Sequence, residues 1–274
     1  MEWSKLKNII LLILLCTNAA LLAMVLGQNW RESSALRQAR ADAIALLRQE
    51  GTQVEDDVVP QKTELTLLRA ERDQAEEEQL ARALLGDELA VQDRGGGVYL
   101  YRSDLGEIQF HSDGAFQASF QPNAFSLNGE GPEQLAQRIA EQLAFTGQVV
   151  QTQTQSGGSS VLLRQLWNGV PVFNLQMTLE FSSAGLTGIG AGRRLFGTPQ
   201  RQAAAVLSPA SALVRFSAGM NALGDVCSSI DDIQPGYLSS ATLTDGMILT
   251  PVWYITTDTG GYYLDLVSGS LSRA

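Results

Sequence analysis

The sequence VLLRQLWNGVPVFNLQMTLEF, from Val161 to Phe181, predicts a β-hairpin. Asn168-Gly169 separates two apolar segments and is the dipeptide most typical of a two-residue hairpin turn. In the second segment apolar residues alternate with polar ones, at Phe173, Leu175, Met177, Leu179 and Phe181. Such alternation indicates a strand with one buried and one solvated face. The hairpin therefore belongs to an antiparallel sheet that another element covers on one side.

Two helices with matching lengths are predicted around this hairpin. Pro132 opens one that Gly147 closes, and Pro209, preceded by the capping residue Ser208, opens another that Gly224 closes. Proline at the first helical position and glycine past the last are typical helix boundaries. The starts and the ends are both 77 residues apart (209 − 132 and 224 − 147). This spacing predicts an internal repeat.

Strands follow each helix, and they repeat as well. Pro171-Val172-Phe173 in the first copy corresponds to Pro251-Val252-Trp253 in the second, 80 residues later (251 − 171). In the second copy, segments from Trp253 to Thr257 and from Tyr262 to Val267 flank a glycine turn. The predicted fold class is α+β, with a helix lying on an antiparallel sheet twice.

Two further helices are predicted before residue 90. One runs from Trp30 to Glu50 and ends at Gly51, with an apolar face of Leu36, Ala39, Ala43 and Leu47. The other runs from Leu65 to Leu85, and its acidic run is expected to face water: Glu76, Glu77 and Glu78.

A small meander follows these helices. Asp113-Gly114 predicts a hairpin between strands around Ile108 and Phe116, and a turn from Ser103 to Gly106 pairs the first of them with Val98 to Tyr101. Two glycine-rich stretches, Gly95 to Gly97 and Gly188 to Gly192, are predicted to be loops. No helix is expected after either, so neither suits a phosphate group.

Composition and charge exclude several functional classes. The formal net charge of −10 argues against nucleic acid, whose phosphates attract basic surfaces. His111 is the only histidine, and it lies on the polar side of a strand, where an exposed role is expected. The two cysteines, Cys16 and Cys227, cannot form a disulfide framework.

The sequence shows no catalytic constellation, so we expect no enzyme activity, catalytic residue, metal, cofactor or small-molecule substrate. Asp231-Asp232 is a pair of adjacent carboxylates beside a turn at Pro235-Gly236, and an ordinary acidic loop explains it. The alternative is an enzyme in which these two converge with Asp258 and Asp265.

A membrane anchor is predicted close to the N-terminus. Ile9 to Leu26 reads IILLILLCTNAALLAMVL and carries no charged residue. As a helix it would be about 27 Å long, close to the ~30 Å hydrocarbon core of a bilayer. Trp3 and Trp30 lie outside its ends, as interfacial indoles do, and Lys5 favours a cytoplasmic N-terminus. We expect a single-pass helix over 8–27, residues 1–7 in the cytoplasm and the remainder extracytoplasmic.

Two alternatives to an uncleaved anchor stay open. Val25-Leu26-Gly27 suits cleavage of a signal peptide, although the apolar run exceeds the usual ~7–15 residues. A lipoprotein at Cys16 fits less well because Leu15 precedes it. After the anchor, the predicted regions are a helical stalk over 28–90, a first α+β unit over 91–200 and a second over 201–274.

Short segments resemble the YycH/YycI family. The start Met1-Glu2-Trp3-Ser4-Lys5-Leu6-Lys7, followed by the apolar run, resembles the opening of YycI regulators. The hairpin from Leu166 to Phe173 is similar to their sheet segments. So is the ending, with Pro251 to Ile255, Gly261 to Asp265 and Ser268-Gly269. That ending also resembles small PepSY-like helix-on-sheet units.

The resemblance implies a regulator that binds and modulates a sensor histidine kinase of a cell-wall two-component system in Gram-positive bacteria. A related regulator is a further implied partner. Thr17 and Asn18, the polar residues within the apolar run, are the candidate contacts in the membrane, because a buried amide favours a hydrogen-bonding partner. The alternative function is a PepSY-like extracytoplasmic module that restrains a protease or a cell-wall hydrolase.

Overall fold

A computed structural model describes residues 14–15, 17–18, 21–22, 24, 34–242 and 246–274. They form two compact units. The first contains the described residues up to Thr63 together with Leu207–Asp232 and Thr257–Thr259. The second contains Glu64–Val206, Ile233–Thr256 and Gly260–Ala274.

From residue 34 onward, helices and strands follow one another along the chain. The helices are α1 (34–49), α2 (Gln74–Leu85), α3 (Pro132–Gln142) and α4 (Pro209–Leu223). The strands are β1 (Gln53–Val54), β2 (Leu68–Glu71), β3 (Ala90–Asp93), β4 (Tyr99–Ser103), β5 (Gly106–Phe110), β6 (Ala115–Phe120), β7 (Gly147–Gln155), β8 (Gly158–Trp167), β9 (Val170–Ser182), β10 (Gly185–Arg193), β11 (Gln200–Arg201), β12 (Ser229–Ala241), β13 (Gly246–Thr257), β14 (Gly260–Asp265) and β15 (Leu271–Arg273).

The element order repeats as one helix followed by four strands. α3 precedes β7 to β10, and α4 precedes β12 to β15, so each predicted repeat has this content. A further repeat, α2 with β3 to β6, comes before them. It was not predicted because its helix starts without proline and lies 58 residues before the next (132 − 74), not 77.

In the second unit, the α2 and α3 repeats share one antiparallel sheet. The strand order is β7-β8-β9-β10-β6-β5-β4-β3. The last strands of the two repeats, β6 and β10, pair with each other and join the halves. Both helices contribute to one core with these strands. Its fully buried members include Leu135, Ile139, Ile108, Met177 and Leu179.

The same unit contains a second, smaller core. β2 pairs with β13 and β11, and β12 pairs in parallel with β9 at Tyr237 and Val172. Leu68 and Ala70 of β2 pack there with Leu249 of β13.

Both predicted hairpins are confirmed. Trp167 of β8 pairs with Val170 of β9, and Asn168 and Gly169 have φ of 50° and 80° as a type I′ turn requires. β5 and β6 pair around Asp113-Gly114, and β4 pairs with β5 through the turn before Gly106. The five alternating apolar residues of β9 are buried.

The helix predicted from Leu65 to Leu85 is wrong in its first half. Leu68 and Ala70 are buried while Arg69 and Glu71 point away, and they form β2 between two partner strands. The helix begins only at Gln74, after Asp73, whose carboxylate accepts a hydrogen bond from the Ala75 N–H (2.9 Å).

Two other boundary predictions are wrong. Gly188 to Gly192 is not a loop but lies within β10, where the strand passes β6 at short distance. The helix from Pro132 ends at Gln142, not at Gly147, and Ala144 takes the left-handed conformation with φ of 50°. Gly95 to Gly97 forms the predicted loop, before β4, and Gly224 ends α4 with φ of 70°.

The first unit is built from α1, α4 and short strand segments. β1 pairs in parallel with the start of β12, at Ser229 and Ile230. Its buried residues come from both helices and the segment after α1: Ala43, Ile44, Leu47, Val54, Val59, Ala212, Leu213, Phe216, Met220 and Ile230. α4 buries the predicted Leu213, Phe216 and Met220, flanked by Ser208 as N-cap.

Most of the predicted anchor lies outside the described residues. Those that are described are helical and exposed: Leu14, Leu15, Thr17, Asn18, Leu21, Leu22 and Met24. Within the described part of the chain, no helix has the length and apolar content needed to cross a bilayer. The anchor thus stays a prediction from sequence.

Candidate protein-binding groove

An apolar groove in the first unit runs between α1 and α4. Its volume is about 640 Å³. α1 contributes Ala39, Asp42, Ala43 and Leu46, and the α4 segment contributes Leu207, Ala210, Ser211, Val214 and Arg215. Small side chains form much of this lining, so another chain can approach both helices closely.

Large apolar side chains are exposed along the groove. Leu46 is 42% exposed and Val214 48% exposed. Leu36, ten residues before Leu46 on α1 and outside the lining of the groove, is 49% exposed. The sequence placed Leu36, Ala39, Ala43 and Leu47 on one apolar face, but α1 buries only Ala43 and Leu47 of that set. The spacing Leu36, Ala39, Ala43, Leu46 was the signal for a second apolar stripe.

Polar contacts hold the walls of the groove in place. Arg40 donates hydrogen bonds to the carbonyls of Asp56 and Val59 (2.8 Å to the latter), and Arg48 donates to the Val54 carbonyl and the Asp56 carboxylate. These bonds attach the segment after α1 back onto that helix.

Two further hydrogen bonds involve α4 and the segment before it. Ser217 donates to the Glu50 carboxylate (2.7 Å), and Thr63 donates to the carbonyl of Leu207 at the start of α4 (3.1 Å). The first bond joins α4 to the residue that follows α1, and the second joins the segment after α1 to the start of α4. Asp42 on α1 and Arg215 on α4 give it one charge of each sign.

Three of the four aspartates in the enzyme alternative accept local hydrogen bonds. Asp231 accepts a hydrogen bond from the Ser229 hydroxyl (2.7 Å), and Asp258 accepts from the backbone N–H groups of Ser228 and Ser229. Asp265, in the second unit, accepts from the backbone of Val267 and Ser268 in a tight turn. Asp232 is exposed. Among the described residues, no three His, Cys, Asp or Glu side chains are placed to hold a metal ion.

Asp258 and Cys227 in the first unit have shifted pKa values. Burial would raise the pKa of Asp258, but the hydrogen bonds from Ser229 and Ser228 outweigh it and hold the pKa below its usual range. Burial raises the pKa of the Cys227 thiol, whose neighbours include Thr52 and Asp258. A thiol with a raised pKa is a poor nucleophile.

In the acidic run on α2, Glu78 faces water as predicted, with a side chain that is 42% exposed, but Glu76 and Glu77 pair with buried arginines. Glu77 is 2% exposed and accepts two hydrogen bonds of 2.7 Å from Arg72, which also donates to the Gly97 carbonyl. Glu76 binds the buried Arg194 (2.6 Å) and the Gly197 N–H (2.9 Å). Sequence reasoning missed these pairs because the two arginines lie outside the helix. His111, predicted to be exposed, is half-buried and hydrogen-bonds to Gln109 (2.8 Å).

Comparisons with known proteins give only distant similarities. No protein-family model matches the sequence, and no curated protein sequence matches it. Among solved structures, an uncharacterized protein from Eubacterium rectale is similar with 12% identity and a TM-score of 0.41, covering 77% of this chain and 82% of that one. The Bacillus megaterium YpeB C-terminal domain is similar with 10% identity and a TM-score of 0.38, covering 74% of this chain and 98% of that one. Similarities this low identify neither a family nor a function.

Proposed function

We propose that this chain is a regulator that binds another protein, and that a helix of the partner docks in the groove between α1 and α4. The main support for this proposal is that Leu46 and Val214 are exposed. They lie beside small residues of the groove, namely Ala39, Ala43 and Ala210. An amphipathic helix that lays its apolar face into such a groove is a common mode of protein recognition.

The partner helix has a defined chemistry. Large apolar side chains on one face would fill the space above the alanines, and burial of each would contribute about 1.5–3 kcal/mol. Asp42 favours a basic residue along one flank of that helix, and Arg215 favours an acidic residue along the other.

We further propose that the partner is a membrane sensor histidine kinase. The apolar run of the predicted anchor ends at Leu26 and α1 is described from residue 34, so the eight Cα–Cα steps between them (34 − 26) span at most about 28 Å. The groove would then be within reach of the juxtamembrane helices of a membrane receptor. The resemblance to YycI regulators supports the same partner. A coupling free energy of ~1–3 kcal/mol would suffice to shift a two-state kinase several-fold.

The test is crosslinking and capture of the kinase by the full chain in its own membrane. Val214→Lys places a charge in the groove and is expected to reduce kinase capture at least fivefold. Val226→Lys is the matched control, since Val226 belongs to the same unit, is 80% exposed and lies outside the groove. It is expected to leave capture unchanged. Equal capture by both variants would remove the groove from the interface.

A second candidate function follows from the repeated architecture. A helix followed by four strands occurs three times in the described chain, and the alternative predicted from sequence was a PepSY-like module that restrains a protease or a cell-wall hydrolase. Capture of such an enzyme in place of a kinase, with loss on Val214→Lys, would favour this second function.

A further inference from the structure

The long edge strand β7 is a second surface with binding capacity. It runs over nine residues and pairs along its length with β8 only, within the part of the chain that the structure describes. From Gln151 to Gln155 every residue is exposed, and the whole strand contains no charged residue and no proline. Natural edge strands are commonly protected by charge, proline or short length, and this one is not.

The other edge strands of the sheet are short. β3 has four residues and ends at Asp93, β11 has two, and β15 has three, including Arg273. An unprotected edge of nine residues is therefore particular to β7 among the described strands.

Hairpin geometry shows which backbone groups are available. Ser156-Gly157 is a two-residue turn, so Gln155 and Gly158 exchange hydrogen bonds across it. Because hydrogen-bonded pairs alternate, Gln153 and Gln151 also direct their N–H and C=O groups towards β8. The backbone groups of Thr152 and Thr154 consequently point away from the sheet.

A polar cleft lies beside this edge, on one face of the sheet. It has a volume of about 360 Å³ and includes Gln153 and Gln155 of β7, Ser160 of β8, and Thr178 and Glu180 of β9. Glu180 is the one charged residue in the lining. On the opposite face, the Thr152 hydroxyl donates to Glu133 at the start of α3. Carboxylates thus lie on both sides of the exposed half of β7.

We infer that β7 binds an extended peptide segment of a partner protein as an added strand, with a lysine or arginine at its centre whose positive charge is attracted by Glu133 and Glu180 from the two faces of the sheet. Main-chain hydrogen bonds to Thr152 and Thr154 supply the affinity, and the two carboxylates favour a basic side chain. This surface belongs to the second unit and is independent of the groove between α1 and α4.

The experiment uses the full-length protein in detergent micelles and two fluorescent heptapeptides. One has the sequence Thr-Val-Thr-Lys-Thr-Val-Thr, and the other has glutamate in place of lysine. Fluorescence anisotropy is expected to detect binding of the lysine peptide below about 1 mM, with at least fivefold weaker binding of the glutamate peptide. Hydrogen exchange should show new protection at Thr152 and Thr154.

Three variants of the protein test the assigned contacts. Thr154→Pro removes an outward N–H that the β7–β8 ladder does not use, and it is expected to weaken binding at least tenfold. Thr154→Val keeps the N–H and should bind as the parent chain does. Glu180→Gln should reduce the preference for lysine over glutamate, because it leaves only Glu133 beside the strand. A lysine peptide that is N-methylated on alternate residues gives the same test with the parent protein, should Thr154→Pro fail to fold.

Several results would overturn the inference. These are no binding of the lysine peptide at about 1 mM, unchanged binding to a folded Thr154→Pro variant, or equal affinity for the N-methylated peptide. Concentration-dependent dimers that Thr154→Pro abolishes would show that a second copy of the chain, and not a peptide, occupies the edge.

Discussion

Two buried arginines are the least expected residues of the second unit. Arg72 and Glu77 have side chains that are 6% and 2% exposed, and Arg194, which binds Glu76, is 2% exposed. Burying a charge is costly unless an opposite charge and hydrogen bonds compensate it, and both carboxylates meet this condition here. Glu76 and Glu77 also lie in the first turn of α2, where the helix dipole favours negative charge.

Glu77→Ala is expected to destabilise the protein by about 3–5 kcal/mol, because it removes the carboxylate from a buried guanidinium. The matched control is Glu78→Ala on the same turn. Glu78 forms an exposed pair with Arg82, and its loss should cost only about 0.3–0.5 kcal/mol. Urea unfolding of both variants measures the difference. Similar losses in the two would show that the buried pair does not stabilise the fold.

Burial of Tyr101 is expected to make the protein less stable at alkaline pH. Burial, with the nearby carboxylates of Glu77 and Glu78, raises its pKa to about 12 from 10.0. The unfolded chain therefore releases this proton first. The contribution of neutral Tyr101 to the free energy of unfolding is complete below pH 10. It declines by about 1.4 kcal/mol per pH unit as the pH rises towards 12.

Tyr101→Phe should remove this component of the pH dependence. Urea unfolding at pH 9, 10, 11 and 12 measures it, and the parent chain is expected to lose more stability than the variant between pH 10 and pH 12. Parallel curves for the two proteins would contradict the raised pKa.

At the scale of elements, the junction of β6 and β10 explains the glycine-rich stretch. A Cβ atom added to Gly188 would lie 2.8 Å from the carbonyl oxygen of Ala118 on β6, and one added to Gly192 would lie 2.7 Å from the ring of Phe116. Glycine is needed at these positions for close approach of the two strands, and not for a turn. The junction conceals one edge of each repeat, which would otherwise be open to pairing.

Gly188→Ala is accordingly expected to destabilise the protein by about 1–3 kcal/mol, since the clash is with backbone. Gly157→Ala is the control, because no atom lies within 4 Å of its added Cβ and its φ is not positive. Alanine lowers the conformational entropy of the unfolded chain, so that variant should be as stable as the parent chain or more stable by up to about 1 kcal/mol. If Gly188→Ala were equally stable by urea unfolding, the close approach would not constrain the junction.

At the scale of the whole chain, we propose two contacts between the regulator and its partner, one in the membrane and one in the groove. Asn18 lies on the described helical residues of the predicted anchor, and an amide in lipid gains ~0.6–2 kcal/mol from a hydrogen-bonding partner. The groove lies in the first unit and would act outside the membrane. The two contacts are far apart in sequence and can be removed separately.

Replacement of residues 1–27 by an unrelated anchor is expected to reduce kinase capture by about 3- to 30-fold, the factor that corresponds to ~0.6–2 kcal/mol. Asn18→Leu should reproduce most of this loss, and Val214→Lys combined with the new anchor should abolish capture. Capture in the native membrane, at equal protein levels, is the measurement. Unchanged capture with the new anchor would assign the whole interface to the extracytoplasmic part.

Features that depend on neighbouring residues could be predicted from the sequence. Asn168-Gly169 favours a type I′ turn through its own backbone preferences, and Ser208 with Pro209 and Gly224 defines both ends of α4 in the same local way. The α+β class follows from such signals, because strand alternation and helix boundaries each extend over only a few residues.

Only tertiary structure decided the features that join distant residues. β2 is a strand because β11 and β13 pair with it, Glu77 is buried because Arg72 reaches it, and Gly188 is in a strand because β6 packs beside it. Both candidate binding surfaces are of this kind. The groove exists where α1 meets α4, some 160 residues later (209 − 49), and the free edge of β7 exists because of where the sheet ends. The energies that select these arrangements come from contacts across the fold, which no local pattern contains.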